Sequence, residues 1–491
     1  MSQYWILAAI LLPILGGALT PLLPFRNRKY MMIYLEVLTI VTSAIALCLV
    51  AHGPMEKIEV IHFVRNLSIS FKIDGLTMLF GGMISILWPF CMLYSFEYME
   101  HEGHEKIFFM FYSMTFGVTL GIAFASDILT MYLFYELLTL VTVPLIIHNL
   151  SREAIYASRK YLYYSLGGAA FAMMGMVFLL VYGNTGEFVL GGVLNAVKLG
   201  DKVNILLIIY MLAFMGFGVK AAVWPLCGWL PDAGVAPTPV TALLHAVAVV
   251  KAGVFAIIRI TYYSFGTEFL QGTWVQYAAM GIAMITIVYG CSKAVNQMHI
   301  KRRLAYSTVS NLSYILFGAM IMTPLGMVGA LCHMVTHAFM KICSFLCAGA
   351  IMHQTGKKFV NELDGLGRRM PVVFTCFTIA ALGLMGVPGL AGFVSKWYLA
   401  DAAVESGNVQ AYLGIGCLLI SALLTAIYML TIVLRAFFPG KDFDYSTVEV
   451  YRDPSWKMCL PLIVFAAVTV VIGLFSPRLV QFIFNIACGV Y

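Results

Sequence analysis

Fourteen hydrophobic runs, each of about 20 residues, constrain the fold of this chain more than any other feature. An α-helix of this length crosses the roughly 30 Å hydrocarbon core of a membrane. The sequence therefore predicts an all-α polytopic membrane protein with about fourteen transmembrane helices. The expected spans, numbered 1 to 14, are 4–22, 31–50, 73–94, 107–125, 127–148, 160–183, 203–224, 237–262, 272–291, 303–323, 326–351, 373–398, 409–435 and 457–485.

Charged residues are scarce, which excludes a soluble globular protein. They make up 11% of the chain, whereas 61% of the residues are hydrophobic; a soluble domain is about 25% charged. The formal net charge of +7 is spread over many connections, so it does not indicate binding of nucleic acid. No basic stretch precedes span 1, and we therefore expect it to be retained rather than cleaved as a signal.

The sequence carries no recognisable cofactor motif. Its 11 cysteines include no C-x-x-C pair, and P-loop, G-x-G-x-x-G and iron–sulfur spacings are absent. Cys343 and Cys347 lie four residues apart, which fits packing better than metal binding. We therefore expect no redox cofactor and no metal in this chain.

The basic residues of the connections are distributed asymmetrically. Connections that follow odd-numbered spans hold nineteen of them, and the other side holds Lys57, Arg65, Lys72, Lys198, Lys202, Arg259 and Arg478. Because cytoplasmic connections carry the excess of Lys and Arg, the pattern predicts an inner (cytoplasmic) membrane location with both termini on the outer side.

Four lysines and one glutamate stand out within the expected spans: Glu136, Lys220, Lys251, Lys341 and Lys396. Each charge at the bilayer centre costs roughly 2.5–3.5 kcal/mol, so five unpaired charges would cost on the order of 12–17 kcal/mol. We expect these side chains to face one another, or water, inside the helix bundle and to mark an ion pathway.

Glu136 and Lys220 can be interpreted in two ways. They can form a purely structural ion pair, although a buried pair is weak support for stability. They can also form a switch, because two charges about 4 Å apart attract by roughly 4 kcal/mol at an effective dielectric constant near 20. Moving Glu136 away would then release a proton from Lys220.

Span 11 contains "HMVTHAFMK", which places His333, His337 and Lys341 on one helix face. Histidines titrate near neutral pH and suit a proton relay. A pair of histidines four residues apart can also bind metal, but no third ligand is evident. In span 8, His245 and Lys251 form either a second relay element or, for His245, a buried core residue.

Prolines and glycines interrupt spans 7 and 12, near Pro225 and Pro388, close to Lys220 and Lys396. A helix broken within a membrane is tolerated where protein or water satisfies its backbone groups. The two breaks are five spans apart, so spans 4–8 and 9–13 would form two five-helix repeats of opposite orientation. The predicted domains are 1–106, 107–262, 272–435 and 436–491.

Several motifs together resemble one membrane protein family. They are "FKIDGLTMLF", "VKAAVWPLCGWLPDAGVAPTPVTALLHAVAVVKAGVFAIIR", "KRRLAYSTVSNLSY", "HMVTHAFMK" and "GLAGFVSKW". The chain resembles the antiporter-like membrane subunits of respiratory complex I, Mrp-type cation/proton antiporters, membrane-bound hydrogenases and formate hydrogenlyase. The resemblance covers at least spans 3 to 13.

The resemblance implies roles for the buried residues. Glu136 would modulate Lys220, while Lys251, His333, His337 and Lys341 would form the central relay and Lys396 the terminal site. Asp232 lies in the W-L-P-D-A loop and, with His245, is a secondary candidate. The sequence departs from the family at Tyr135, where Trp is usual.

These features predict an ion-translocating subunit of a redox-driven pump, with the redox chemistry in other subunits. A Na⁺/H⁺ antiporter subunit without redox partners, and a scaffold that conducts nothing, are the alternatives. Glu136 is the only clear carboxylate in mid-span, which favours H⁺ over Na⁺ because hard cations prefer oxygen ligands. Expected partners are homologous and small membrane subunits, peripheral iron–sulfur, hydrogenase or dehydrogenase subunits, and lipid.

Overall fold

The computed structural model describes residues 3–64 and 67–490, so Arg65 of the sequence analysis lies outside the described residues. Seventeen helices of nine or more residues lie in the described part of the chain. They are α1 Tyr4–Leu19, α2 Arg28–His52, α3 Gly75–Tyr98, α4 Glu105–Phe124, α5 Ile128–Ile146, α6 Arg152–Tyr182, α7 Val203–Lys220, α8 Thr238–Ala246, α9 Val249–Ile258, α10 Trp274–Val295, α11 Ile300–Ile321, α12 Pro324–Thr355, α13 Pro371–Met385, α14 Ala391–Glu405, α15 Val409–Phe437, α16 Trp456–Leu474 and α17 Ser476–Ala487. A π-helical segment, Arg259–Phe265, continues α9. The helical architecture is confirmed.

Twelve helices in the described residues are long and apolar enough to cross a membrane, and Tyr4–Leu19 and Pro371–Met385 are shorter apolar helices. The total of fourteen spans and the inverted relation of the two repeats stay predictions. Predicted span 14 is divided in the structure into α16 and α17. Ser476 and Pro477 begin the second helix, where a proline is compatible with the first turn.

A β-hairpin, which the helical prediction did not include, joins α2 to α3. Strand β1, Met55–Val64, pairs antiparallel with β2, Leu67–Ile73. Ser70 attaches the hairpin to the start of α5, because its backbone N–H donates to Thr130 Oγ1 at 2.9 Å. Asp127 caps that helix by accepting the backbone N–H of Thr130 at 2.8 Å.

The centre of the bundle is formed by the segments that carry most of the predicted relay. The most apolar windows of Thr238–Phe265 and Pro324–Thr355 are entirely buried, and that of Ile300–Ile321 is 94% buried. The corresponding windows of Arg28–His52 and Val409–Phe437 are only 39% buried. Relay residues on α8, α9 and α12 therefore lie in the protein interior.

The predicted breaks are present, and a third break was not expected. Helix α7 ends at Lys220, and α13 and α14 are separated by residues 386–390. A further interruption at Val247 and Ala248 separates α8 from α9. The neighbouring sequence "HAVAVVK" contains neither glycine nor proline, so local sequence carries no signal for it.

Three basic residues lie deeper in the structure than the sequence analysis placed them. Arg259 was counted among the connections of one side, and Lys301 and Arg303 among the nineteen residues of the other, but all three are buried within helical segments. Glu36 lies within α2, and its Oε2 atom is buried. The prediction that Glu136 is the only clear mid-span carboxylate is therefore wrong.

Candidate functional site

Lys220 and Glu136 meet where α7 ends beside α5. Lys220 Nζ lies 4.0 Å from Glu136 Oε1, and the Lys220 side chain is 1% exposed whereas that of Glu136 is 24% exposed. The ammonium also donates to the backbone carbonyl of Tyr135 and lies 3.4 Å from the centre of the Tyr135 ring. Lys220 therefore keeps polar contacts that do not depend on the charge of Glu136.

The end of α7 shows how this broken helix satisfies its backbone. The indole N–H of Trp229 donates to the carbonyl of Val219 at 2.8 Å, and Trp224 N–H donates to Thr286 Oγ1 at 3.0 Å. On the other side, Gly253 of α9 packs against Lys220. A Cβ added at Gly253 would lie 3.0 Å from Lys220 Cβ, so only glycine permits this approach.

Lys251 makes a direct contact with the histidines of α12. Its Nζ lies 2.7 Å from His337 Nδ1, and both side chains are fully buried. The rings of His337 and His333 are stacked with their centres 5.8 Å apart. His333 Nδ1 lies 2.9 Å from Ser395 Oγ, one residue before Lys396. Predicted site residues thus join α9 to α12, and Ser395, which was not predicted, joins α12 to α14.

Lys341 begins a second group of polar contacts, among hydroxyls that the sequence analysis did not single out. Its Nζ donates to Ser307 Oγ at 2.7 Å and to the carbonyl of Leu304 at 3.3 Å. Tyr428 OH also contacts Ser307 Oγ at 2.7 Å and lies 3.1 Å from Thr425 Oγ1. Buried hydroxyls thus extend from Lys341 onto α11 and α15.

Lys396 lies on α14, and its ammonium group reaches back to the break between α13 and α14. Its Nζ donates to the carbonyls of Leu384 at 2.7 Å and Met385 at 3.0 Å. These carbonyls belong to the last turn of α13, where a helix leaves acceptors without intrahelical donors. A cation at a helix C-terminus is also favoured by the helix dipole. The ammonium lies 5.4 Å from the ring of Tyr314, whose centre is 5.0 Å from that of His333.

The two secondary candidates lie in different surroundings. His245 is fully buried, and its ring centre lies 4.8 Å from that of Phe345. Neither of its ring nitrogens has a hydrogen-bond partner within the described part of the chain. Asp232 does not join the buried lysines of the predicted relay. It pairs with Lys160 at 2.7 Å and with Arg302 at 3.2 Å at the end of the bundle.

A buried ion pair on the hairpin side of the bundle was also missed. Arg259 Nη1 and Nη2 bind Asp74 at 2.6 and 2.8 Å, and the guanidinium lies 4.7 Å from the ring centre of Tyr263. Burial alone would raise the pKa of Asp74, but Arg259 outweighs burial and lowers that pKa to about 2. One sequence signal could have indicated part of this site. An aspartate directly before an apolar run, as at Asp74, is typical of the residue that caps the N-terminus of a helix.

The ion pairs among residues 3–64 and 67–490 do not include Lys251, Lys341 or Lys396. Their partners are a histidine nitrogen, hydroxyls and backbone carbonyls. A buried lysine without a carboxylate partner is held less firmly in its charged form. Such a group can take up and release a proton, which is the chemistry a relay requires.

Comparison with known proteins gives matches over most of the chain. The family described as "NADH:quinone oxidoreductase/Mrp antiporter, TM" matches residues 125–425. The family described as "NADH-Ubiquinone oxidoreductase (complex I), chain 5 N-terminus" matches residues 63–109. The first match spans the residues of all the predicted relay positions.

Two curated relatives are each 30% identical to this chain. One is a Na(+)/H(+) antiporter subunit of Alkalihalophilus pseudofirmus, matched over 84% of this chain. The other is an NADH-quinone oxidoreductase subunit of Desulforudis audaxviator, matched over 82%. The chain spans about half of the first relative, 54% of its length, and 81% of the second.

Solved structures share the fold over nearly the whole chain. An archaeal membrane-bound sulfane sulfur reductase aligns with a TM-score of 0.85 at 24% identity, covering 99% of this chain and 97% of that chain. The Mrp complex of a Dietzia species gives 0.85 at 21% identity with the same coverages. Respiratory complex I of Thermus thermophilus gives 0.80 at 20% identity, covering 98% of each chain.

Proposed function

The chain belongs to the NADH:quinone oxidoreductase/Mrp antiporter membrane-subunit family, and from this we propose that it translocates protons as one subunit of a redox-driven pump. One observation carries the proposal. Lys251, Lys341 and Lys396, together with His333 and His337, contact hydroxyls, carbonyls and one another in the interior of a multi-pass membrane protein. Ionisable side chains are rare inside membrane proteins because their burial is costly, and where they occur they usually mark an ion pathway.

In the proposed pathway, the proton moves from Lys220 towards Lys396. Glu136 holds Lys220 in its charged form, and displacement of Glu136 releases the proton from Lys220. Lys251 and His337 receive the proton in the centre of the bundle, at their 2.7 Å contact.

The second half of the proposed pathway uses α12 and α14. The stacked rings of His337 and His333 carry the proton towards Ser395, and Lys396 releases it to the outer side. Lys341 exchanges protons with the same relay. His245 and Asp232 remain secondary, His245 inside the bundle and Asp232 at its proposed cytoplasmic end.

The alternative function is Na⁺/H⁺ antiport without redox partners, and the name of the Alkalihalophilus relative favours it. Hard cations such as Na⁺ prefer oxygen ligands. The proposed relay residues from Lys251 to Lys396 are lysines and histidines, whose nitrogen atoms bind protons rather than Na⁺. The geometry therefore supports H⁺ as the ion along this half of the pathway.

We also propose the orientation and the partners of the chain. Both termini lie on the outer side, with spans 4–8 and 9–13 forming two oppositely oriented repeats. Other membrane subunits are its neighbours, because its structural relatives are multi-subunit membrane complexes. Peripheral iron–sulfur, hydrogenase or dehydrogenase subunits supply the redox chemistry in the primary proposal.

The test is to purify the chain with its associated subunits and reconstitute the complex in closed vesicles. A pH-sensitive dye and ²²Na⁺ uptake then report the two ions after addition of an electron donor for the recovered redox subunits. Proton uptake that depends on electron transfer, and is lost in Lys251→Gln, supports the pump. Electron-independent Na⁺/H⁺ exchange supports the antiporter. Unchanged transport in Lys251→Gln would overturn the proposed pathway.

The matched control is Lys293→Gln, which removes the same charge from the end of α10. Lys293 is exposed and lies outside the relay. We expect this variant to transport at the wild-type rate. An equal loss in both lysine variants would show a general effect of charge on the complex and would count against a role for Lys251.

A further inference from the structure

A cavity of about 750 Å³ opens where several connections of the bundle meet. The start of α6 contributes Arg152, and the start of α11 contributes Lys301 and Arg302. Lys358 follows α12, and Asp232 belongs to the segment between α7 and α8. These residues are far apart in the sequence, and the volume lies within the ~300–1,000 Å³ that is usual for ligand pockets. We call this space the basic cavity.

The lining of the basic cavity has an excess of positive charge. Four cations line it, namely Arg152, Lys301, Arg302 and Lys358, whereas two carboxylates do, those of Glu153 and Asp232. Asp232 is already paired with Lys160 and Arg302. The ion pairs found among the described residues include none with Arg152, Lys301 or Lys358. Three cations therefore remain available to an anionic ligand.

Lys301 forms a buried, polar part of the lining. Its side chain is 4% exposed, and its Nζ donates to the carbonyl of Ala236 at 2.9 Å. A lysine ammonium has three N–H donors, so the remaining ones can bind another acceptor. The first turn of α11 also begins here, and the backbone N–H of Ile300 donates to the carbonyl of Lys358 at 3.0 Å, which holds Lys358 beside Lys301.

His299 precedes α11 and lines the basic cavity, and its Nδ1 has no hydrogen-bond partner among the residues that the structure describes. Burial first, and then the charges of Lys301, Arg302 and Lys358, lower the pKa of His299 to about 4. His299 is therefore neutral near pH 7, and the neighbouring lysines and arginines must hold a bound anion.

The rim of the basic cavity is apolar on the side of Tyr156 and Phe359. These side chains are 63% and 44% exposed, and both line the cavity. The basic cavity lies at the ends of membrane-crossing helices. Its basic residues complement the phosphate of a phospholipid headgroup, and the apolar side chains beside them complement the first carbons of the acyl chains.

We propose that the basic cavity binds a phosphate-bearing anion, and that the bound molecule is the headgroup of an anionic phospholipid. Arg152 and Lys358 contact the phosphate from the solvent side, and Lys301 does so from the buried side. Tyr156 and Phe359 pack against the start of the acyl chains. The site is separate from the proposed relay and does not depend on proton translocation.

Native mass spectrometry of the full chain in detergent, titrated with phosphatidylglycerol or phosphatidylcholine, tests the proposal. We expect tighter binding of the anionic lipid. The double variant Arg152→Gln/Lys358→Gln should weaken it by about fivefold for each cation removed, or roughly 25-fold for the pair. Both side chains are exposed, so their replacement should leave the fold intact. Equal affinity for the two lipids would overturn the proposal.

The matched control is Lys441→Gln/Arg452→Gln, which makes the same charge change at exposed residues outside the basic cavity. We expect it to bind phosphatidylglycerol as the wild type does. If both double variants lose affinity equally, the attraction is to net charge rather than to the cavity, and the proposed site is refuted.

Inorganic phosphate and Tyr156→Ser distinguish the two sources of the phosphate group. A lipid site predicts weaker binding of phosphatidylglycerol in Tyr156→Ser and little competition by inorganic phosphate. Strong competition by inorganic phosphate, with no effect of Tyr156→Ser, would support the phosphate site and refute the lipid as its ligand.

Discussion

Replacement of Glu136 by glutamine should slow proton translocation at least tenfold while the complex still assembles. Glu136 Oε1 lies 4.0 Å from Lys220 Nζ. At that distance, and at an effective dielectric constant near 20, the two charges attract by about 4 kcal/mol. The Glu136 side chain is 24% exposed, so solvent screens part of this attraction. If about a third of this attraction, ~1.4 kcal/mol, is lost from the stabilisation of the rate-limiting transition state, the translocation rate falls about tenfold.

Glutamine preserves the shape of the side chain and removes only its charge. Lys220 keeps its contacts with the carbonyl and the ring of Tyr135, so we expect the fold to remain intact. The assay is the initial rate of acidification in vesicles that contain the reconstituted complex, normalised to the amount of assembled complex.

Glu36→Gln is the matched control, because Glu36 also lies inside a helix of the bundle but has no ion pair with a lysine among the described residues. We expect this variant to translocate protons at nearly the wild-type rate. A wild-type rate in assembled Glu136→Gln would refute the role of the Glu136–Lys220 pair. An equal loss in both variants would show a general sensitivity to buried charge.

Four further changes test other parts of the structure. Lys396→Ala should abolish proton release in the vesicle assay, while Lys396→Glu should retain part of it, because another ionisable group can occupy the break. Ser307→Ala removes the hydroxyl 2.7 Å from Lys341 Nζ and should lower the translocation rate about tenfold, since a hydrogen bond to a charged group contributes about 1.5–3 kcal/mol. Asp74→Asn should destabilise the protein by on the order of 2 kcal/mol near neutral pH, because the folded-state pKa of Asp74 is about 2 instead of 3.8. Gly392→Ala should lower the midpoint of thermal unfolding, because the added Cβ would clash with the backbone carbonyl oxygen of Gly383.

Each of these predictions has an outcome that contradicts it. Equal transport by the two Lys396 variants would exclude Lys396 as the terminal site, and an unchanged rate in Ser307→Ala would exclude a hydroxyl role. The contribution of Asp74 is present above about pH 4 and is lost as the pH falls through about 2. The difference in unfolding temperature between wild type and Asp74→Asn must therefore shrink over that range. Gly416→Ala is the control for Gly392→Ala, because a Cβ at Gly416 would meet nothing within 4 Å.

The motifs of the sequence led to the family that the comparisons confirm. The W-L-P-D-A loop, the "HMVTHAFMK" segment and the four span lysines lie within the matched residues 125–425. These patterns are local, and each depends on the spacing of a few residues along one helix or connection. The helical architecture was predictable for the same reason, because a membrane span is defined by the apolar length of its own segment.

Most of the elements that were missed depend on neighbours distant in sequence. Strand β2, with the sequence LSISFKI, alternates strictly between apolar and polar residues, and this pattern could have predicted a strand. Its attachment to α5 through Ser70 has no such local signal. The helix interruption at Val247 could not be predicted from the local sequence, because no glycine or proline lies beside it. Arg259 and Lys301 were assigned to connections, because basic residues near the end of an apolar run are usually exposed. Their burial depends on contacts with Asp74 and Ala236, which lie on other segments and are not evident from the local sequence.

The sequence by itself placed Glu136 and the four lysines Lys220, Lys251, Lys341 and Lys396 within the membrane bundle, because each lies in an apolar segment about as long as a membrane span. It did not place Arg259, Lys301 and Arg303 there, since their burial follows from packing. Only the tertiary structure decided what each one touches. Lys251 meets His337 across 86 residues, Lys341 meets Ser307 across 34, and Lys396 turns back to the last carbonyls of α13. Such contacts arise from the packing of helices around breaks, where small residues such as Gly253 and Gly392 allow backbones to approach closely. Helical periodicity specifies the face on which a side chain lies, but the partner of that face depends on how the whole bundle packs.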